Sequence, residues 1–188
     1  MTTTIQIHDQ TFEILIQKEN IAKRTRLIGI QLNLDYEKRC PIFIGVLNGC
    51  FLFMADLLKE VTIPCEVAFV KVSSYQGTNS SGKIKETLGL PENLHNRDII
   101  VVEDIVDTGF TLSYLLQAIQ EQKPASVKVC SLLLKPEALK TPIEALEYVG
   151  FEIANEFVVG YGLDYDGLGR NLTDIYSVKT VLPALAEM

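Results

Sequence analysis

Ile42 to Leu47 (IFIGVL) is an unbroken apolar run, bounded by Pro41 before it and Asn48-Gly49 after it. A strand with one wet face alternates apolar and polar residues. A run with no polar member is a strand buried on both faces, and such strands belong to parallel sheets covered by helices. Asp98 to Val102, apolar after its first residue, repeats the pattern, and Val127 to Leu134 reads as a further strand ending at Lys135. Stripes at helical spacing lie around these runs. Phe51, Met54, Ala55 and Leu58 stand at i, i+3, i+4 and i+7, as do Leu112, Leu115, Leu116 and Ile119. Lys18 to Arg39 reads as an amphipathic helix with Ile21, Ile28 and Leu32 on one face, ended by Pro41. Phe12 to Ile16 and Cys65 to Val72 read as strands. Phe157 to Tyr161 reads as a last short strand before the Gly- and Asp-rich turn Gly162 to Gly169.

Strands alternating with helices predict an α/β domain with a mostly parallel sheet, and 188 residues suit a single domain. Right-handed crossovers put the carboxyl ends of the strands on one rim, where such sheets bind ligands. Asn48-Gly49, the expected turn Glu103 to Gly109, and Lys135 fall on that rim. Ser73 to Lys85 (SSYQGTNSSGKIK) has few large apolar residues and predicts a long, mobile connection. A net charge of -7 argues against a general nucleic-acid binder. It leaves phosphate ligands open, because backbone N–H groups can hold an anion on an acidic protein. Cys40, Cys50, Cys65 and Cys130 form no CxxC pair, which disfavours zinc. The start MTTTIQIHDQ has no secretory pattern and no apolar run is long enough to span a bilayer, so a cytoplasmic location and no membrane partner are expected.

Chemistry concentrates in Ile99 to Thr111 (IIVVEDIVDTGFT). Glu103 and Asp104 follow a buried strand, and Asp107-Thr108-Gly109 leads into a helix beginning near Thr111. A helix amino terminus offers unpaired N–H groups and the positive end of a dipole. Gly109 allows close approach, and Thr108 and Thr111 add hydroxyls. An anion site beside two carboxylates fits a ligand carrying both a phosphate and a vicinal diol, such as a phosphorylated ribose. Taken alone, Glu103-Asp104 reads as a solvated strand end and Asp107-Thr108-Gly109 as a turn or helix cap.

The whole string, however, resembles at every position the phosphoribosyl-diphosphate signature of the phosphoribosyltransferases: apolar run, acidic pair, two apolar residues, Asp-Thr-Gly, any residue, Thr. Further segments resemble the hypoxanthine-guanine phosphoribosyltransferases in order and spacing. They are Ser73-Ser74-Tyr75 with Ser81-Gly82, Lys135, Val149 to Ile153, Phe157 to Tyr161, and Leu163-Asp164-Tyr165. The likeness runs from about Ile14 to about Tyr176. It implies the type I phosphoribosyltransferase fold, a Rossmann-like, mostly parallel twisted sheet flanked by helices. Its core would span about residues 40–150, and the N-terminal segment with about 151–188 would form a small hood. The implied reaction moves phosphoribosyl from phosphoribosyl diphosphate to an oxopurine base with Mg²⁺, in a homodimer or homotetramer.

The same resemblance implies roles. Glu103 and Asp104 hold the ribose hydroxyls, directly or through Mg²⁺. Backbone N–H groups from Asp107 through Gly109 and Phe110 to Thr111, with the Thr108 and Thr111 hydroxyls, hold the 5′-phosphate. Asp107 is the catalytic acid or base at the purine N7. Lys135 donates to the 6-oxo group, Phe157 stacks on the base, and the Val158 backbone meets its edge. Asp164 is a metal ligand beside the exocyclic substituent, and Arg170 reaches the pyrophosphate. Ser74 and Tyr75 belong to a lid. Each also has a plain reading: Asp107 as a helix cap, Lys135 as a solvated strand end, Phe157 as core, Asp164 as a turn residue. Asn48-Gly49 departs from many members, which carry a basic residue there in a pyrophosphate-binding turn that often has an unusual peptide bond. Asn48 loses that charge, which predicts weaker diphosphate binding. Two alternatives are a nucleotide-sensing, nucleic-acid-binding regulator on the same fold and a transferase for xanthine alone or a pyrimidine.

Overall fold

The computed structural model describes residues 4–74 and 84–179. In chain order these form β1 (Thr4–Ile7), β2 (Gln10–Ile16), α1 (Lys18–Asp35), β3 (Ile42–Val46), α2 (Phe51–Glu60), β4 (Glu66–Ser74) and β5 (Ile84–Leu88). There follow β6 (Asp98–Val106), α3 (Phe110–Glu121), β7 (Ser126–Leu134), one 3₁₀ turn at Pro136–Ala138, β8 (Leu146–Glu152), β9 (Val158–Val159) and β10 (Ile175–Val178). The main sheet has the order β5-β4-β3-β6-β7-β8. From β4 to β8 its strands run parallel, and β5 lies antiparallel on the edge.

The apolar runs do what their composition requires. Every residue of β3 is buried, and successive side chains serve opposite faces of the sheet. Phe43 joins Ile100, Val102, Cys130 and Leu132 under α1 and α2, which contribute Ile21, Ile28, Leu32, Phe53, Met54 and Leu57. Ile42, Ile44 and Val46 join Ile99, Val101 and Val129 under α3, which contributes Leu112, Leu115 and Ile119. A second, antiparallel sheet has the order β1-β2-β10-β9 and its own small core of Ile7, Phe12, Val159 and Tyr176. Ile16, Val158 and Ile175 tie that sheet to the core beneath α1 and α2.

Several boundaries differ from the sequence reading. α1 ends at Asp35, well before Arg39 and Pro41. Tyr36 turns inward and is buried, while Arg39 lies over its ring at 4.9 Å and donates to the Asp35 carbonyl at 3.0 Å, closing the helix end. The stripe of α2 is out of phase by one residue. Cys50, Phe53, Met54 and Leu57 are buried, whereas Phe51 is 39% exposed. β6 continues to Val106, so Glu103 and Asp104 stand in the strand and the turn is confined to residues 107–109. Part of the expected mobile connection is strand: Ser73 and Ser74 pair with Lys85 and Ile84. β8 and β10 were not expected as strands, and the strand at Val158–Val159 is not the last.

The phase of α2 is directly testable. Phe53→Ala, which empties a fully buried site, is expected to cost roughly 3–5 kcal/mol in urea unfolding, and Phe51→Ala less than about 1 kcal/mol. The reverse ranking would restore the phase read from the sequence.

Candidate active site

Three connections meet at the carboxyl rim of the main sheet. After β3 the chain turns through Asn48 and Gly49, with a cis peptide between Leu47 and Asn48. The Leu47 N–H donates to the Val70 carbonyl at 2.8 Å, which holds this turn against β4. Gly49 is buried beneath the Asp104 carboxylate, and a Cβ there would overlap it. Gly162, with φ +104°, packs in turn on the Gly49 carbonyl, where a Cβ would also overlap. The segment from Gly160 to Asp164 is thus seated directly on the turn after β3.

The second connection is residues 107–109. Gly109 adopts φ +83°, a left-handed conformation that glycine takes without strain, and this directs the chain into α3. The Ser113 N–H is the first that the helix satisfies, donating to the Gly109 carbonyl at 2.8 Å. The N–H groups ahead of it lack an intrahelical acceptor. They border a recess of about 100 Å³ lined by Glu103, Asp107, Thr108, Gly109 and Thr111. Phe110, 62% exposed, does not line it.

The third connection follows β7. The Lys135 N–H donates to the Val106 carbonyl at 2.9 Å, and the Lys140 N–H to the Thr108 carbonyl at 3.2 Å, so this loop underlies the second. Lys135 is only 7% exposed and its ammonium lies 3.2 Å from Asp107 Oδ2. The plain reading of a solvated strand end does not hold. A cleft of about 160 Å³ opens here, lined by Asp104, Ile105, Asp107, Lys135, Phe157, Val158, Leu163 and Asp164. Phe157 is 47% exposed and braced edge-on by Tyr165 at 5.6 Å. Val158 is buried in β9. Asp164 accepts from the Gly167 N–H at 2.8 Å and pairs with Arg170 at 2.5 Å, so its turn role is real and leaves it facing the cleft. Arg170 also donates to the Gly162 carbonyl at 2.6 Å. Ser74 ends β4, and Tyr75 lies outside the described residues.

Standing in a strand, Glu103 and Asp104 face opposite sides: the first lines the recess at α3, the second the cleft at Lys135. Asp107 lines both. Burial drives the Glu103 carboxyl well above the usual carboxylate range, and the neighbouring Asp104 adds to this. Burial also pushes the Asp104 carboxyl up to about 6, against the pull of the Ile105 N–H at 3.0 Å and of Arg170.

The family model described as a phosphoribosyl transferase domain matches residues 12–166. The chain is 43% identical to a hypoxanthine-guanine phosphoribosyltransferase of Bacillus subtilis, over 93% of this chain and 96% of that one. The chain belongs to the hypoxanthine-guanine phosphoribosyltransferase family. It also aligns at 45% identity with a bifunctional TilS/HprT protein of Listeria monocytogenes, covering 92% of this chain but only 27% of that protein's length. Among solved structures, a Bacillus anthracis hypoxanthine-guanine phosphoribosyltransferase with a HEPES molecule in its active site superposes with a TM-score of 0.83. It has 39% identity, over 89% of this chain and 98% of that one. The type I phosphoribosyltransferase fold follows.

Sequence reasoning missed Ile105 and Leu163 as cleft walls, Tyr165 as the brace of Phe157, and the bond from Tyr161 Oη to Asp56 Oδ2 at 2.6 Å that ties the segment 160–165 to α2. The Leu163-Asp164-Tyr165 string was the available signal for two of these.

The raised Asp104 carboxyl carries a stability consequence. Its proton is held more tightly folded than unfolded, so its contribution is full below pH 3.8 and is lost as pH rises through about 6. In metal-free protein, Asp104→Asn is expected to raise the unfolding free energy by about 1–3 kcal/mol at pH 8 relative to wild type. The gain should disappear near pH 4. A variant no more stable than wild type at pH 8 would show that this carboxyl is not raised.

Proposed function

We propose that this chain is a purine salvage enzyme that transfers 5-phosphoribosyl from phosphoribosyl diphosphate to hypoxanthine or guanine, releasing IMP or GMP and pyrophosphate. The observation that carries the reading is Asp107, shared by two adjoining recesses, one bordered by helix-terminal N–H groups and the other by Lys135 and Phe157. A ligand occupying both is a phosphorylated sugar joined to a flat, oxo-bearing base.

On this reading the N–H groups from Asp107 to Thr111 and the Thr108 and Thr111 hydroxyls bind the 5′-phosphate. Glu103 and Asp104 accept from the ribose hydroxyls on either side of the strand. Asn48, Gly49 and Arg170 receive the diphosphate. Lys135 donates to the purine 6-oxo group, which rejects adenine because an amino group cannot accept that bond. Phe157 stacks on the base, and Val158 meets its edge with main-chain groups. Asp107 moves the proton at N7, and Lys135 beside it holds it in place. The small sheet of β1, β2, β9 and β10 is assigned as the hood above a core of about residues 40–150, and the segment around Ser74 and Tyr75 as the lid that excludes water.

Among the described residues no three side chains of Asp, Glu, His or Cys converge into a metal cage. Mg²⁺ does not require such a cage, because it keeps several waters and binds through one or two carboxylates plus substrate phosphates. Because Glu103 and Asp104 face opposite sides of the strand, an ion would be held by Glu103 on one side or by Asp104 and Asp164 on the cleft side, and the raised Glu103 and Asp104 carboxyls are what a cation would relieve. The chemistry such an ion would supply is neutralisation of the departing diphosphate. All four cysteines are free, which supports a reducing, cytoplasmic setting. No helix of the described residues is long and apolar enough to cross a membrane. A homodimer or homotetramer is proposed, to be read by light scattering.

The test is to supply Mg²⁺ and phosphoribosyl diphosphate with hypoxanthine, guanine, xanthine, adenine and uracil in separate reactions, and to measure pyrophosphate release. Release is expected with hypoxanthine and guanine and absent with adenine and uracil; release with uracil alone would overturn the proposal. Asp107→Asn is expected to lower turnover about 10-fold or more. Near wild-type turnover would remove Asp107 from proton transfer.

A further inference from the structure

The turn at Asn48-Gly49 carries no cation of its own, yet it is the proposed seat of a diphosphate. Its surroundings are acidic. The Asp104 carboxylate covers Gly49, and Asp164 stands across the same rim. Arg170, the cation of the base-side segment, is already engaged by the Asp164 carboxylate and the Gly162 carbonyl. Lys71, on the neighbouring strand β4, is placed differently. Its ammonium donates to Asn48 Oδ1 at 3.2 Å. The bond from Leu47 N–H to the Val70 carbonyl fixes the spacing between this strand and the turn. An ammonium has three donors, and a single neutral amide oxygen neither saturates nor neutralises it. Among the described residues Lys71 has no carboxylate partner.

We infer that Lys71 is the diphosphate-binding cation of this turn, aimed by Asn48, and that it supplies from β4 the charge that position 48 lacks. The inference rests on the phosphoribosyl transfer reading for its substrate, but not for its test. With one donor spent on Asn48, Lys71 keeps two for phosphate oxygens. The Asn48 amide, its oxygen occupied, turns its NH₂ group into a further donor. The weaker diphosphate affinity expected from Asn48 alone is thereby offset.

Binding of inorganic pyrophosphate with Mg²⁺, measured by calorimetry at low and high salt, decides it. Lys71→Met is expected to weaken binding by about five-fold or more at low salt, and to flatten its dependence on ionic strength. Lys71→Arg should retain most of the affinity, and Asn48→Lys in the Lys71→Met background should restore it. In turnover, Lys71→Met should raise the KM for phosphoribosyl diphosphate and leave the KM for hypoxanthine unchanged. Unchanged pyrophosphate affinity in Lys71→Met overturns the inference, as does an equal loss in Lys71→Met and Lys71→Arg, which would make Lys71 a scaffold residue. Wild-type protein that binds pyrophosphate but turns over no base would sink the transferase reading, while the Lys71 comparison would still decide this one.

Discussion

At the rim of the main sheet, two stretches of backbone and one carboxylate share space that a single side chain would fill. Gly162 rests on the Gly49 carbonyl, and the Asp104 carboxylate rests on Gly49. A Cβ at either glycine would separate the segment 160–165 from the turn after β3. Tyr161 reinforces the contact from the next position, because its hydroxyl donates at 2.6 Å to Asp56 on α2, the helix that begins just beyond Gly49. The turn, the acidic strand end and the segment 160–165 therefore form one unit. The raised Asp104 carboxyl follows from the same packing, since water is displaced by backbone.

The parts of the fold that were legible are those whose signal is local. β3 and β7 are apolar enough to announce themselves, and the burial of Leu112, Leu115 and Ile119 matches their spacing. The parts that were not legible depend on distant partners. β10 is four residues long and exists as a strand because Ile175 to Val178 pair with β2 at the other end of the chain. β5 lies in a polar stretch and is strand because β4 offers it a ladder. α2 is apolar almost all round, so its sequence does not specify which residue of FLFMADLL faces the sheet. Its neighbours decide that, and they place Cys50 at the head of the buried stripe. Glu103 and Asp104 looked like the start of a loop because polar residues end an apolar run. The ladder to Ser131, Leu133 and Leu134 carries the strand on past them.

The site divides in the same way. Ile99 to Thr111 is one contiguous string, so its resemblance to the phosphoribosyl-diphosphate signature was visible in the sequence. The environments of single residues outside it were not. A lysine after a strand gives no sign that it will be 7% exposed and paired with an aspartate from another loop, as Lys135 is. Asn48 likewise looked like a missing charge, because the bond from Lys71 crosses between strands.

The acidic character of this protein and its proposed polyanionic substrate are reconciled by how the rim charges are committed. Lys135 is paired with Asp107 and Arg170 with Asp164, so neither cation is an open attractor. Glu103 and Asp104 stand near the end of β6, and burial there disfavours their charged forms, so a carboxylate left ionised on this rim would repel an anion arriving alone. An anion that brings Mg²⁺ meets a different surface. On the proposed reading the metal would relieve the buried acids, and the phosphate oxygens would meet the N–H groups ahead of Ser113. Attraction would then be conditional on the metal-bound diphosphate, which a nucleic-acid backbone does not mimic. A net charge of -7 sharpens that selection by discouraging every other polyanion.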